Sequence, residues 1–192
     1  MERFPDHVPI YGAVLIGGKS RRMGRAKHLI QTADGRSWLE YLVSIFEPFV
    51  ARQFVCGAGE LPGAAVHLER VDDLAGVEGP LAGIGALLRR FPYVSWLVSG
   101  CDMPHIRPEA VQWLLEQRDG SEAAVIPCNT ETGKVEPLFA YYDYRCRGLV
   151  DDLIAAGSRR ISDLCEHPAI RRPEIPPSLA SCWQNINFPD QL

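Results

Sequence analysis

A chain of 192 residues, 46% apolar and 23% charged, has the size and balance of one soluble globular domain, expected here over residues 1–192. Its net charge of −4 excludes a general nucleic-acid binder. No apolar run approaches the roughly 18 residues needed to cross a bilayer, so no membrane partner is expected. "MERFPDHVP" has no apolar segment behind its charges and does not read as a signal peptide; the expected location is the cytoplasm.

In chain order, "VPIYGAVLI" reads as a buried strand that ends at Gly17-Gly18. "GGKSRRMGRAK" reads as loop. "RSWLEYLVSIFEPF" has helical periodicity, with Trp38, Leu39, Leu42, Val43, Ile45 and Phe46 on one broad face and Pro48 as its stop. "VARQFVCGA" and "AAVHLERV" are strand candidates. "GPLAGIGALLRRF" predicts a helix with Pro80 early in it. "YVSWLVSG" is another apolar strand and "RPEAVQWLLEQR" another helix. "AAVIPCN" and "VEPLFAYY" predict strands, "DYRCRGLVDDLIAAG" a helix, and "SRRISDLCEH" a short helix. "RRPEIPPSLAS" reads as a surface connection before a last strand in "CWQNINFPDQL". Apolar strands alternating with helices imply an α/β fold with a mainly parallel central sheet, covered on both faces. Ligands of such sheets bind beyond the carboxyl ends of the strands.

The six cysteines are scattered singly, with no C-x-x-C pair, so reduced thiols are expected rather than zinc or a redox dithiol. The five histidines show no ligand spacing. "AVLIGGKS" fits the loose phosphate-loop pattern, but Val14, Leu15 and Ile16 continue the strand and no helix follows Ser20 directly. The alternative is a longer glycine-plus-basic loop. Lys19, Arg21, Arg22, Arg25 and Lys27 bring five of the chain's 20 basic residues into it, a local anion site in an acidic protein.

"LIGGKSRRMGRAK" resembles the nucleotide signature of molybdenum cofactor guanylyltransferases and related nucleotidyltransferases (the MobA-like group), with Ile16 where the family usually has Ala. The resemblance implies a three-layer, Rossmann-like nucleotidyltransferase fold. It implies that Leu15, Ile16, Gly17 and Gly18 lie along the nucleotide and that Lys27 contacts the triphosphate. Arg21 and Arg22 are then phosphate holders, Arg22 with a catalytic part. "CDMP" resembles the family's C-D-x-P, which makes Asp102 the catalytic carboxylate and the ligand for Mg²⁺. "GPLAG" matches the family's glycine-rich turn, so Gly79 and Pro80 would wall the nucleotide pocket. Asp72, seven residues earlier, lines up with a nucleotide-contacting Asp, and Asp73 offers a second carboxylate one position on. "VEPLFAYY" and "NINFPDQL" resemble the pterin-side segments, which places Asn185 and Asn187 by the second substrate. At i and i+2 on a strand they would face one way. The family's nucleotide-binding Asn after the second strand has no counterpart: Gly57 or Ala58 stands there.

The resemblance implies transfer of GMP from GTP to molybdopterin, releasing pyrophosphate. Cofactor-carrying proteins and molybdoenzymes are the implied protein partners. Three alternatives stay open on the residues alone: cytidylyl transfer to the same cofactor, a non-catalytic cofactor carrier, and a P-loop kinase or ATPase.

Overall fold

A computed structural model describes residues 8–17 and 26–187. Its centre is one seven-stranded sheet in the order β3-β2-β1-β4-β6-β5-β7. The strands are β1 (Ile10–Leu15), β2 (Arg52–Cys56), β3 (Glu69–Val71), β4 (Ser95–Gly100), β5 (Ala124–Val125), β6 (Phe139–Tyr142) and β7 (Ile170–Arg171). β1 runs parallel to β2 and β4, and β2 to β3. β6 alone is antiparallel to its two neighbours, β4 and β5.

Neighbouring residues on each strand face opposite layers, which is why apolar runs rather than alternation mark this sheet. Ala13, Phe54, Trp96 and Val98 face one layer, where helix α2 (Pro80–Arg90) and helix α4 (Cys146–Ala155) bring Leu81, Ile84, Leu87 and Val150. Val14, Val55, Leu97 and Phe139 face the other, against Leu39, Leu42 and Phe46 of helix α1 (Trp38–Phe46) and Val111 and Leu114 of helix α3 (Pro108–Glu116). The result is the three-layer α/β arrangement expected. α1 starts on a full capping box: Ser37 Oγ accepts from the Glu40 amide at 3.1 Å and the Glu40 carboxylate accepts from the Ser37 amide at 2.7 Å. Such a cap contributes about 1 kcal/mol.

Order matters for the site. The chain steps from β1 outward through β2 to β3, then crosses back to lay β4 on the other side of β1. The carboxyl ends of β1 and β4 therefore diverge into a crevice, the switch point where doubly wound sheets bind ligands.

Several elements depart from the sequence reading. Of residues 64–71 only Glu69–Val71 joins the sheet, and a 3-10 turn, Gly63–Ala65, precedes it. Pro48 lies inside a 3-10 turn, Glu47–Phe49, that prolongs α1. Residues 158–167, by contrast, do give the short helix expected, as the 3-10 helix Ile161–Glu166. Among the described residues no last strand follows residue 182: Pro177–Trp183 is a 3-10 helix, residues 184–187 lie outside the sheet, and the seventh strand is β7. The physical reason is an anchor. Trp183 donates from Nε1 to the Phe139 carbonyl at 2.9 Å and stacks on the Phe139 ring with centroids 4.7 Å apart. The residues that follow are carried across the end of β4, where the Ile186 amide donates to the Asp102 carbonyl at 2.8 Å instead of to a ladder. Among the described residues no helix is long and apolar enough to cross a membrane.

Candidate active site

The crevice at the switch point is a cleft of about 690 Å³. Leu15, Ile16 and Gly17 enter it from the end of β1, and Cys56 and Ala58 from the end of β2. Gly79, Pro80 and Gly83 form its wall at the start of α2. Gly100, Cys101 and Asp102 line it beyond β4, and Leu138 closes it just ahead of β6. Strand ends and one helix start thus supply nearly all of it, which is what makes the cleft rigid. The Cys101 amide donates to the Leu15 carbonyl at 3.1 Å, clasping the diverging ends of β1 and β4.

One end of the cleft is ionic. Lys27 Nζ lies 3.0 Å from Asp102 Oδ2 and donates to Asn187 Oδ1 at 2.7 Å. The lysine and aspartate side chains are 13% and 21% exposed, so the pair is partly shielded and still open to a ligand. Lys27 opens a 3-10 turn, Lys27–Leu29, that follows the basic loop. Ile30 anchors this turn by packing with Trp38 and Ile186 in a small apolar cluster. Tail and lysine are therefore fixed to one another twice, by that cluster and by Asn187. Side chains 75 and 160 residues away from Lys27 in sequence meet at its ammonium group.

The other end is built largely from backbone. Gly57 has φ of +103°, and a β-carbon there would stand 2.0 Å from the Ile16 carbonyl oxygen. That contact explains the missing Asn: with β1 pressed onto residue 57, no side chain fits, and Ala58 turns into the cleft instead. Asp73 is the carboxylate on this side. Asp72, which the sequence alignment of motifs favours, does not line the cleft, whereas its neighbour Asp73 does. Cys56 Sγ lies 3.7 Å from Asp73 Oδ1 and 3.5 Å from the Gly83 carbonyl oxygen, either of which can accept its one proton. Burial first, and the Asp73 charge second, push the Cys56 thiol up to about 12. Burial and then Asp102 do the same to Cys101, also about 12. Both stay protonated at neutral pH, so neither is a thiolate nucleophile despite facing the cleft.

Of the residues singled out in the sequence, the cleft gathers Leu15, Ile16, Gly17, Lys27, Gly79, Pro80 and Asp102. Asn187 joins them through Lys27. Asn185 sits at intermediate depth, with its Oδ1 buried and unpartnered. Gly18 and Arg22, with Lys19, Arg21 and Arg25, lie outside the described residues. Cys56 and Ala58 were not foreseen as lining residues, whereas Leu138 belongs to the "VEPL" segment expected along the pterin side. Asp73 left a signal, as the second half of an Asp-Asp pair. Among the described residues no group of three or more His, Cys, Asp or Glu forms a metal cage. One carboxylate at a strand end fits a hard cation that takes its remaining oxygens from substrate phosphates.

A lysine paired with a carboxylate across the switch point of a mainly parallel sheet, facing a glycine-lined wall, is a nucleotidyltransferase's arrangement, and this chain is an enzyme of that class. More narrowly, it belongs to the MobA-like NTP transferase family, whose domain matches residues 12–171. It is 33% identical over 160 residues to a probable molybdenum cofactor guanylyltransferase of Pelotomaculum thermopropionicum, spanning 83% of this chain and 75% of that one. It is 36% identical over 172 residues to a probable molybdenum cofactor guanylyltransferase of Mycobacterium tuberculosis, spanning 86% and 83%. Its structure resembles that of the molybdopterin-guanine dinucleotide biosynthesis protein A of Archaeoglobus fulgidus, with a TM-score of 0.76, 28% identity, and 94% and 93% of the two chains covered. The 2-C-methyl-D-erythritol 4-phosphate cytidylyltransferase of Thermus thermophilus shares the fold at a TM-score of 0.63 and 17% identity, over 93% of each chain.

Proposed function

We propose that this enzyme transfers GMP from GTP to the phosphate of molybdopterin, forming the guanine dinucleotide form of the molybdenum cofactor and pyrophosphate. The observation that carries the reading is the Lys27–Asp102 pair, 3.0 Å apart at the open end of the cleft. The names of the 33% and 36% identical relatives support the choice of substrates.

An oxygen of the molybdopterin phosphate attacks the α-phosphorus of GTP. The bond from that phosphorus to the oxygen bridging the α- and β-phosphates breaks, and pyrophosphate leaves with the electron pair. The attacking phosphate is already ionised near neutral pH, so no general base is needed. Catalysis is then positioning and charge stabilisation. Lys27 exchanges Asp102 for the triphosphate and offsets the charge that builds on the leaving group. Asp102 would hold Mg²⁺, and the cation would supply charge neutralisation to the phosphates when bound. Gly17 and Gly18 admit the nucleotide closely, and Arg22 takes a phosphate. Gly79, Pro80 and Asp73 face the nucleoside. Asn185 and Asn187 border the pterin side, where Asn187 also steadies Lys27. The product passes to cofactor-carrying proteins and molybdoenzymes.

Calorimetric titration with GTP, CTP and ATP in the presence of Mg²⁺ tests the reading. GTP binding at least about tenfold tighter than CTP, a difference of about 1.4 kcal/mol, is the expected result. Tighter CTP binding would replace guanylyl by cytidylyl transfer. GTP binding without molybdopterin-dependent pyrophosphate release would make the chain a carrier.

A further inference from the structure

His28 is a buried ionisable side chain beside the site, 3% exposed, and the reaction above gives it no part. It follows Lys27 directly and sits in the same short turn. Its ring does not point toward the phosphates. Nε2 lies 2.7 Å from the carbonyl oxygen of Glu60, which can only accept, so Nε2 carries the proton and donates. The ring also covers Gly59: a β-carbon there would lie 2.8 Å from Cε1 and 3.2 Å from Nε2. Residue 59 is a glycine for two reasons, its φ of +150° and this ring.

The stretch 57–60 is the turn that follows β2, and its Ala58 lines the nucleoside end of the cleft. Residues 58–60 are exposed and have no core side chain to hold them. Two side chains hold them instead. Arg70 donates to the carbonyls of Gly57 at 3.2 Å and Gly59 at 2.5 Å, and His28 takes the next carbonyl, that of Glu60. Arg70 comes from β3 and ties the turn to the sheet. His28 comes from the turn that carries the catalytic lysine.

We infer that His28 is a positioning residue that couples Lys27 to the nucleoside wall. Through it the two ends of the cleft are set at a fixed spacing, so that a nucleoside seated against Ala58 presents its phosphates to Lys27. The inference rests on the proposed nucleotidyl transfer for its kinetic consequences, not for the coupling itself. Displacements of about 1 Å in a catalytic group cost up to about 100-fold in rate. His28→Ala should therefore lower kcat about tenfold or more and change the KM for GTP by less. His28→Gln, whose amide can still donate to Glu60, should recover most of the loss. Gly59→Ala should mimic His28→Ala by pushing the ring off, and in the His28→Ala background it should add little further loss of kcat.

The ¹⁵N spectrum of the lysine ammonium groups gives a readout that needs no turnover, because the chain has three lysines, Lys19, Lys27 and Lys134. Assigned with Lys27→Arg, the Lys27 signal should move toward that of an exposed lysine in His28→Ala and in Gly59→Ala, and return in His28→Gln. A Lys27 signal unmoved in both variants, or a kcat unchanged while only thermal stability falls, would overturn the coupling. A Lys27 signal that moves as expected in the variants, beside a wild-type enzyme that releases no pyrophosphate from GTP, would instead overturn the proposed function and leave the coupling standing.

Discussion

The two ends of the cleft are made of different material. The ionic end, to which the proposed function assigns the phosphates, is a meeting of side chains, Lys27, Asp102 and Asn187, brought from three distant parts of the chain. The other end, to which the proposed function assigns the nucleoside, is mostly backbone and glycine, the residue 57–60 turn and the Gly79–Gly83 wall, with the carboxylate of Asp73 beside them. A developing charge calls for groups that carry charge and can trade partners. A flat, largely neutral nucleoside calls for a surface with nothing in the way. Substitutions at the first end should strike kcat, and those at the second should strike binding and folding.

The largest effect should come from Asp102→Ala, which removes the carboxylate paired with Lys27. Pyrophosphate release should fall at least about 1,000-fold with the thermal midpoint little changed, measured by a coupled pyrophosphate assay. Lys27→Ala should cost about 100- to 1,000-fold in kcat. Asn187→Ala, which takes one of the two partners from the ammonium group, should cost about tenfold in kcat and leave the KM for GTP nearly as it is. At the opposite end Gly57→Ala forces a β-carbon to within 2.0 Å of the Ile16 carbonyl oxygen and strains a φ of +103°. It should destabilise the fold by about 1–3 kcal/mol in urea unfolding and weaken GTP binding more than it slows bound substrate. A comparable fall in kcat and no change in stability from Gly57→Ala would erase the contrast.

The smallest effect concerns the two thiols that face the cleft. Cys56 and Cys101 are held near 12 in the fold, against 9.0 for a free thiol. Above pH 9 the unfolded chain loses protons that the native chain keeps, so the stability they contribute is complete below pH 9 and drains away as pH rises toward 12. The thermal midpoint should fall across that window. In the double variant Cys56→Ala, Cys101→Ala it should fall less steeply, although the variant starts lower. Iodoacetamide at pH 8 should leave both thiols of the native enzyme unmodified.

The fold was largely legible because the sheet is buried on both faces. "AVLI" and "WLV" are unbroken apolar runs, and α1, α2, α3 and α4 each carry an apolar stripe or a proline start that points inward. What failed was short or held by partners far away. "AAVHLERV" has strand composition, yet its first residues turn in a 3-10 helix at the sheet's edge. The tail after residue 183 reads as a strand but is fixed by Trp183 on Phe139 and by Ile186 on Asp102, contacts with no local pattern. The phosphate end was legible in its parts, since Lys27 and Asp102 lie in motifs, but their meeting with Asn187 was not. The nucleoside end was legible least. A backbone wall leaves few side-chain marks, and the choice between Asp72 and Asp73 turned on which carboxylate the end of β3 points into the cleft.

The central claim is that the Lys27–Asp102 pair promotes attack on the α-phosphorus of GTP. Its most direct test follows the label from α-³²P GTP incubated with molybdopterin and Mg²⁺. All of the transferred label should appear in the pterin dinucleotide, matched mole for mole by unlabelled pyrophosphate, and none should transfer with Asp102→Ala. Release of inorganic phosphate from the γ-position, or transfer that persists in Asp102→Ala, would contradict it.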